Sequence, residues 1–449
     1  MGHRLPRLFR VLILMVPLTL VVSACETIND LWFGQGDEVI LPGERIPVLP
    51  EAGTLEASPD LAAVPITLPP PQLNPDWPVS NRTPSQSSGH LQLNVPFQRV
   101  WSSNIGAGST ATRRLLNPPV VANGRVYVAD AVGRVTALDA ESGGRLWQVR
   151  AATPDENSTP LGGGVAYGAG LLFVTTGFGE VAALDPDNGG LIWLEEMGAP
   201  IRSAPMVIGD RVYAVSVENR AEAFNAATGD PAWTHSGLLE TAGLLGGAAP
   251  SVATGVVVVP YSSGEVYALR PENGRIVWTD SLISLRQTAA LASLADIVAG
   301  PVIDNDLVVT VSHSGRMAGI DLRSGARVWE QRFGGVQTPV VAGETIFMVT
   351  GDAELLALQR NTGAIRWVRE LARWRNPEDR IGPIVWAGPV LANNNLILVS
   401  SEGDGLIVAA QTGEIVGEFN PGGDTTIPPV VANGTLYVLS ANGTLTAFR

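Results

Sequence analysis

Residues 118–149 read "PPVVANGRVYVADAVGRVTALDAESGGRLWQV". An apolar run, a turn, a β-branched run, a Gly-bearing hairpin and an alternating run follow one another. A second turn then leads into a Trp-bearing strand. That is four short strands in one unit. The pattern returns near Tyr167, Pro205, Pro250, Pro301, Pro339, Pro389 and Pro428. A period of roughly 45 residues belongs to propellers, not to ankyrin or leucine-rich repeats.

Each unit carries a signature ending in Trp. It reads DAESGGRLW (139–147), DPDNGGLIW (185–193), NAATGDPAW (225–233), RPENGRIVW (270–278), DLRSGARVW (321–329) and QRNTGAIRW (359–367). The seventh copy, AAQTGEIVG, has Gly417 where Trp is expected. Gly stands four residues before that position in every copy, where a hairpin needs positive φ. Asp139, Asp185 and Asp321 recur as turn residues that bond nearby amides. The Trp row offers flat surfaces for packing between blades.

The last unit stops after its third strand, at Arg449. The missing strand occurs at the other end of the domain, "FQRVWSSNI", with Trp101 in the repeated position. Trp101 and Gly417 are 316 residues and seven steps apart. The expected fold is all-β: an eight-bladed β-propeller of four-stranded antiparallel blades, its ring closed by the N-terminal strand near Trp101. Closure protects sheet edges that an open array exposes.

The signature resembles the PQQ-like, or quinoprotein, repeat over about residues 97–449. The resemblance is specific for fold and not for activity.

Three arginines precede an apolar run from Val11 to Val22, followed by small residues. This order is that of a secretory signal over residues 1–24. The run ends Val22-Ser23-Ala24-Cys25, which resembles the bacterial lipobox. That resemblance implies a lipidated Cys25 as the first mature residue. With Glu26 next, it implies an outer-membrane anchor on the periplasmic face. Acyl chains contribute roughly 0.8 kcal/mol per buried CH₂. Residues 25–95 hold 11 prolines between Pro42 and Pro84, including Pro69-Pro70-Pro71. They read as an extended linker. Trp77 makes docking of part of it on the domain a second reading. Residues 96–449 are the propeller.

The chain has 449 residues, 50 Gly, 33 Pro and only 16% charged residues, against about 25% in an average domain. All 29 basic residues are Arg, which excludes a lysine Schiff base and a P-loop. A net charge of −14 argues against a nucleic-acid partner. The only Cys is Cys25, so no intramolecular disulfide and no Cys-cluster metal site can form. The four His are scattered. "SHSG" at His313 reads as a hairpin tip, and no Gly-x-Ser-x-Gly elbow is present. A quinoprotein dehydrogenase would need a cofactor bed, a metal and a vicinal disulfide. The expectation is no enzyme, no cofactor and no metal.

Departures from the repeat are then the informative part. Two long apolar loops run over residues 235–250 and 280–301. A third, 370–389, adds Trp374, Trp386 and arginines. Such loops either fill the funnel or form an interaction site.

A lipidated, eight-bladed quinoprotein-like propeller is similar to the BamB family of the outer-membrane β-barrel assembly machinery. The resemblance implies a non-enzymatic periplasmic scaffold that binds the POTRA domains of BamA and aids folding and insertion of barrel proteins. Unfolded outer-membrane proteins are a further implied partner. The family's contact region is a Leu-x-Leu-Arg segment, followed by an Asp-x-Asp segment before the next blade. In this chain Leu244 matches the second Leu and Leu245 stands at the Arg place. Asp296 matches the first Asp, and Val298 replaces the second. Leu285 and Arg286 of the adjacent loop could supply the missing Leu and Arg. The alternative is a periplasmic propeller that binds a small ligand in its funnel.

Overall fold

The computed structural model describes residues 55–62, 64–151, 162–240, 243–283 and 295–449. Each repeat folds as one antiparallel sheet whose strands run in order from the axis outward. Blade 1 is Val120–Ala122, Arg125–Ala129, Arg134–Asp139 and Arg145–Arg150. Blades 2 to 7 span 165–196, 206–236, 251–281, 302–331, 340–370 and 386–419. Blade 8 takes Val430–Ala432, Thr435–Leu439 and Thr444–Phe448 from the C-terminus and Arg99–Asn104 from the N-terminal side. The expected eight blades and the expected closing strand are both present.

Inner strands are covered on both faces, so they read as unbroken apolar runs such as Val120-Val121-Ala122. Outer strands are half exposed. Each outer Trp instead faces a small residue across its hairpin: Trp147 opposite Ala137, Trp193 opposite Ala183, Trp329 opposite Gly319.

The indole reaches into the next blade. Trp147 Nε1 donates to Pro186 O at 3.0 Å, and Trp329 Nε1 donates to Arg360 O at 2.8 Å. The signature Gly lies beneath the ring. A Cβ on Gly363 would sit 2.5 Å from Trp329 Cε3, and φ there is +67°. This glycine therefore meets two demands at once, a left-handed turn and close approach of a neighbouring indole.

Ring closure uses the same joint. Trp101 pairs opposite Ala447 and donates from Nε1 to Ala140 O of blade 1 at 3.1 Å. The C-terminal Arg449 forms an ion pair with Glu141 of the same turn, Nη2 to Oε2 at 2.6 Å.

Residues 64–95, within the stretch read as a linker, are extended and lie on the propeller. Trp77 is 1% exposed and pairs with Val121 of blade 1. Tyr167 N–H donates to Pro78 O, Val252 N–H to Pro84 O and Ile303 N–H to Ser85 O. Leu91 N–H donates to Leu391 O, and Asn433 N–H to Asn74 O. These inner strands belong to six different blades. The segment thus winds round the axis and satisfies amide and carbonyl groups on the inner edges. Further out, a one-turn helix, Pro59–Ala62, rests on the outer strand of blade 6, and Ser58 N–H donates to Ile365 O at 2.8 Å.

Candidate docking site and family

The loop after blade 3 is tied at two points by side chains from neighbouring hairpins. At Leu238, Glu265 Oε2 accepts the N–H at 2.9 Å and Asn219 Nδ2 donates to the carbonyl at 2.6 Å. Asn219 sits at a hairpin tip with φ of 57°, and its Oδ1 accepts from Ser262. At Leu244, Arg202 Nη1 donates to the carbonyl at 2.8 Å, and the Asp296 carboxylate lies beneath the adjoining Gly243. The Leu238 N–H and carbonyl and the Leu244 carbonyl are held by side chains of neighbouring segments, and the large side chains beside them are exposed. Leu239 is 75% exposed, Leu238 61% and Leu245 54%. Ile283, also exposed, packs beside Gly264 in the same hairpin that holds Leu238. Monomer surfaces seldom display such a group of large aliphatic side chains without a partner.

Asp296 is 4% exposed, and burial pushes its carboxyl above the usual carboxylate range. It lies beneath the loop at Gly243 and is buried. Leu244 is half buried over the same point, and Leu245 is the exposed member of the pair. Leu285, Arg286 and Cys25 lie outside the described residues. His235 stacks on Tyr261 with ring planes 10° apart and bonds its hydroxyl at 2.8 Å. Burial lowers the His235 pKa and raises that of Tyr261.

The loop 370–389 is a small hairpin of Trp374–Asn376 with Ile381–Pro383. Arg375 clasps Glu402 through two bonds of 2.8 and 2.7 Å, and Arg373 covers the Trp374 ring. Trp386 is buried, its Nε1 donating to Ala372 O at 2.9 Å. That tryptophan is core and not contact surface.

An axial cavity of about 530 Å³ lies between the N-terminal segment (Trp77, Asn81, Gln86) and the loop residues Leu244, Leu245 and Val298. His313 lines it, and its backbone N–H donates to Asp296 O at 2.9 Å. Among the described residues, no three His, Cys, Asp or Glu side chains converge as metal ligands.

Residues 98–158 and 131–369 match the family model described as outer membrane protein assembly factor BamB. The BamB of Alkalilimnicola ehrlichii is 31% identical over 356 residues, 79% of this chain and 89% of that protein. The chain belongs to the BamB family. The Escherichia coli member is 28% identical over 77% of this chain and 87% of its own length. In structure the chain is similar to BamB from Moraxella catarrhalis, with TM-score 0.65 and 19% identity over 79% of this chain and 99% of that one. A europium-containing methanol dehydrogenase is similar at TM-score 0.63 and 17% identity, covering 81% of this chain and 88% of that one. The propeller is thus similar both to BamB and to a methanol dehydrogenase, and the fold alone does not separate the two activities.

Leu244 and Asp296 line one cavity beneath the loop. Sequence reasoning missed Arg202. It lies in "IRSAP", 42 residues before the carbonyl it holds, and no local pattern marks it.

Proposed function

We propose that this BamB-family chain is a non-catalytic scaffold of the outer-membrane β-barrel assembly machinery. Lipidation at Cys25 would hold it on the periplasmic face of the outer membrane. The loop face around Leu238, Leu239, Leu245 and Ile283 docks on the POTRA domains of BamA. Unfolded barrel proteins are the cargo of the assembled machine. The observation that supports this best is that neighbouring side chains hold the Leu238 N–H and carbonyl and the Leu244 carbonyl. A rigid ring presents a fixed set of exposed leucines, which is how an interface lowers the entropy cost of binding.

The funnel-ligand reading has less support. The chain's own segment, through Trp77, Asn81 and Gln86, supplies part of the wall of the axial cavity of about 530 Å³ on which that reading rests. The test is binding of the solubilised, lipidated protein to the periplasmic POTRA region of BamA. Leu245→Asp should weaken binding at least about tenfold without lowering the melting temperature. Undiminished binding by both Leu239→Asp and Leu245→Asp would remove the loop face from the account. Arg286→Glu reports on the adjacent loop. If it leaves binding unchanged while Leu244→Asp abolishes it, Arg286 has no part in the interface.

A further inference from the structure

Two of the holds on the docking loop use groups that keep one charge state near neutral pH. They are the Arg202 guanidinium on the Leu244 carbonyl and the Asn219 amide on the Leu238 carbonyl. The hold on the Leu238 N–H belongs to a larger cluster. Glu265 Oε2 accepts that N–H at 2.9 Å and the Ser263 hydroxyl at 2.9 Å, and its Oε1 accepts from the Tyr267 hydroxyl at 3.0 Å. Tyr267 and Tyr261 pack against the His235 ring, with centroids 4.6 and 5.9 Å away. His235 Nδ1 meets the Tyr261 hydroxyl at 2.8 Å, and that hydroxyl lies 3.3 Å from the His235 carbonyl. A histidine, two phenols and a carboxylate are thus connected, and the carboxylate end holds the loop.

His235 is also joined to the loop through the chain. It lies near the end of the last strand of blade 3, Pro231–Ser236, just before Leu238. The link between them is tight, because a Cβ on Gly237 would lie 2.6 Å from Tyr261 Cδ2. From blade 4 the charged group acting on His235 is Glu265. On the neighbouring strand of blade 3, Arg220 and Glu222 form an ion pair on either side of Ala221, which stands opposite His235. Alternate strand residues face opposite sides, so that pair points away from the ring.

We infer that a proton releases the Leu238 hold: when His235 becomes an imidazolium, the docking leucines lose their fixed place and the partner binds more weakly in acid. A cation packed against two phenol rings has given up water and has one counter-charge, Glu265. It is stabilised either by drawing that carboxylate off the Leu238 N–H or by swinging out into solvent. The first breaks the hold directly. The second pulls on the strand end that leads to Leu238. Burial keeps the His235 pKa below its ordinary 6.5. The held state is therefore complete above about pH 6.5 and is lost as pH falls through the folded value. One proton changes the balance by at most about tenfold per pH unit. Release is a property of the cluster alone. Its effect on docking rests on the scaffold reading above.

The experiment is amide hydrogen exchange of the full solubilised protein at pH 7.5 and 5.5, corrected for intrinsic rates, beside affinity for the POTRA region of BamA. On acidification the wild type should lose several-fold in protection at Leu238 and several-fold in POTRA affinity. His235→Gln cannot titrate there and should show neither change. Asp296, beneath Gly243, and the partner's own groups titrate in both comparisons and cancel. An NMR titration of the wild-type imidazole needs no variant, and its midpoint should coincide with that of the lost protection. Unchanged wild-type protection, equal loss in both proteins, or midpoints more than about one pH unit apart would overturn the proposal. If protection responds but POTRA affinity does not, the link to docking falls and the proton-released hold stands. If POTRA binding is absent at both pH values while protection responds, the scaffold reading fails and the hold stands.

Discussion

Gly417 faces Ile407 across the outer hairpin of blade 7, with Ile407 Cδ1 3.5 Å from the place of a Gly417 Cβ. This is the reverse of the Trp-opposite-Ala pairing seen in blade 6, where Trp367 faces Ala357. The cause lies one blade further on. Trp docks on the third-to-fourth-strand turn of the next blade, and blade 8 has no such turn. Its fourth strand comes from the other end of the chain. Phe97, Phe419 and Phe448 fill the joint instead, with ring centroids 4.9 to 5.8 Å apart.

Side-chain size across these hairpins is therefore coupled. Ala357→Ile should cost about 1–3 kcal/mol by overpacking against Trp367. Guanidinium denaturation midpoints at constant slope measure it.

The double demand on the signature glycine Gly143 predicts a larger cost there than at Gly124, a turn glycine outside the signature. Gly124 has φ of +73° with nothing within 4 Å of a new Cβ. Gly124→Ala should cost only the left-handed strain, about 1–2 kcal/mol. Gly143 has φ of +70°, and a Cβ would lie 2.5 Å from Trp101 Cε3. Gly143→Ala should lose a further 1–3 kcal/mol or so, because the indole that closes the ring must move. Equal costs would show that only φ matters there.

The axial segment should be a large contributor to stability. Trp77→Ala removes a fully buried indole from the inner edge and should cost about 3–5 kcal/mol. Urea unfolding of the variant checks this, and a loss below about 1 kcal/mol would mean the segment merely rests on the ring.

The same segment confers a pH dependence. His90 Nε2 accepts the Asn394 N–H at 2.8 Å, so Nδ1 carries the proton toward Pro69 O at 2.6 Å. Burial lowers its pKa from 6.5. The folded chain resists protonation that the unfolded chain accepts. Its contribution is complete above pH 6.5 or so, and is lost as pH falls through that value toward the folded one. His235 acts with the same sign. Melting temperatures at pH 7.5 and 5.5 should diverge less for His90→Gln than for the wild type.

The repeat made the ring legible, since Trp101 and the truncated last unit both pointed to its closure. Gly417 was legible as a departure but not as a consequence, because its cause is the absence of a turn in a blade assembled from both chain ends. Proline density marked residues 64–95 as extended, and Trp77 hinted at docking. Their winding round the axis depends on free inner edges that only the closed ring creates. Leu244 and Asp296 were found through the family motif. The tie of the Leu244 carbonyl to Arg202 and the burial of Asp296 are set by tertiary placement.

The most direct test of the scaffold account is the affinity of the lipidated protein for the BamA POTRA region, with Leu239→Asp/Leu245→Asp compared against Ile192→Asp. Ile192 is an exposed residue on the outer strand of blade 2, away from the loop face. The account predicts a complex weakened at least about tenfold by the loop variant and left unchanged by the blade 2 variant. No complex with the wild type, or equal binding by all three proteins, would contradict it.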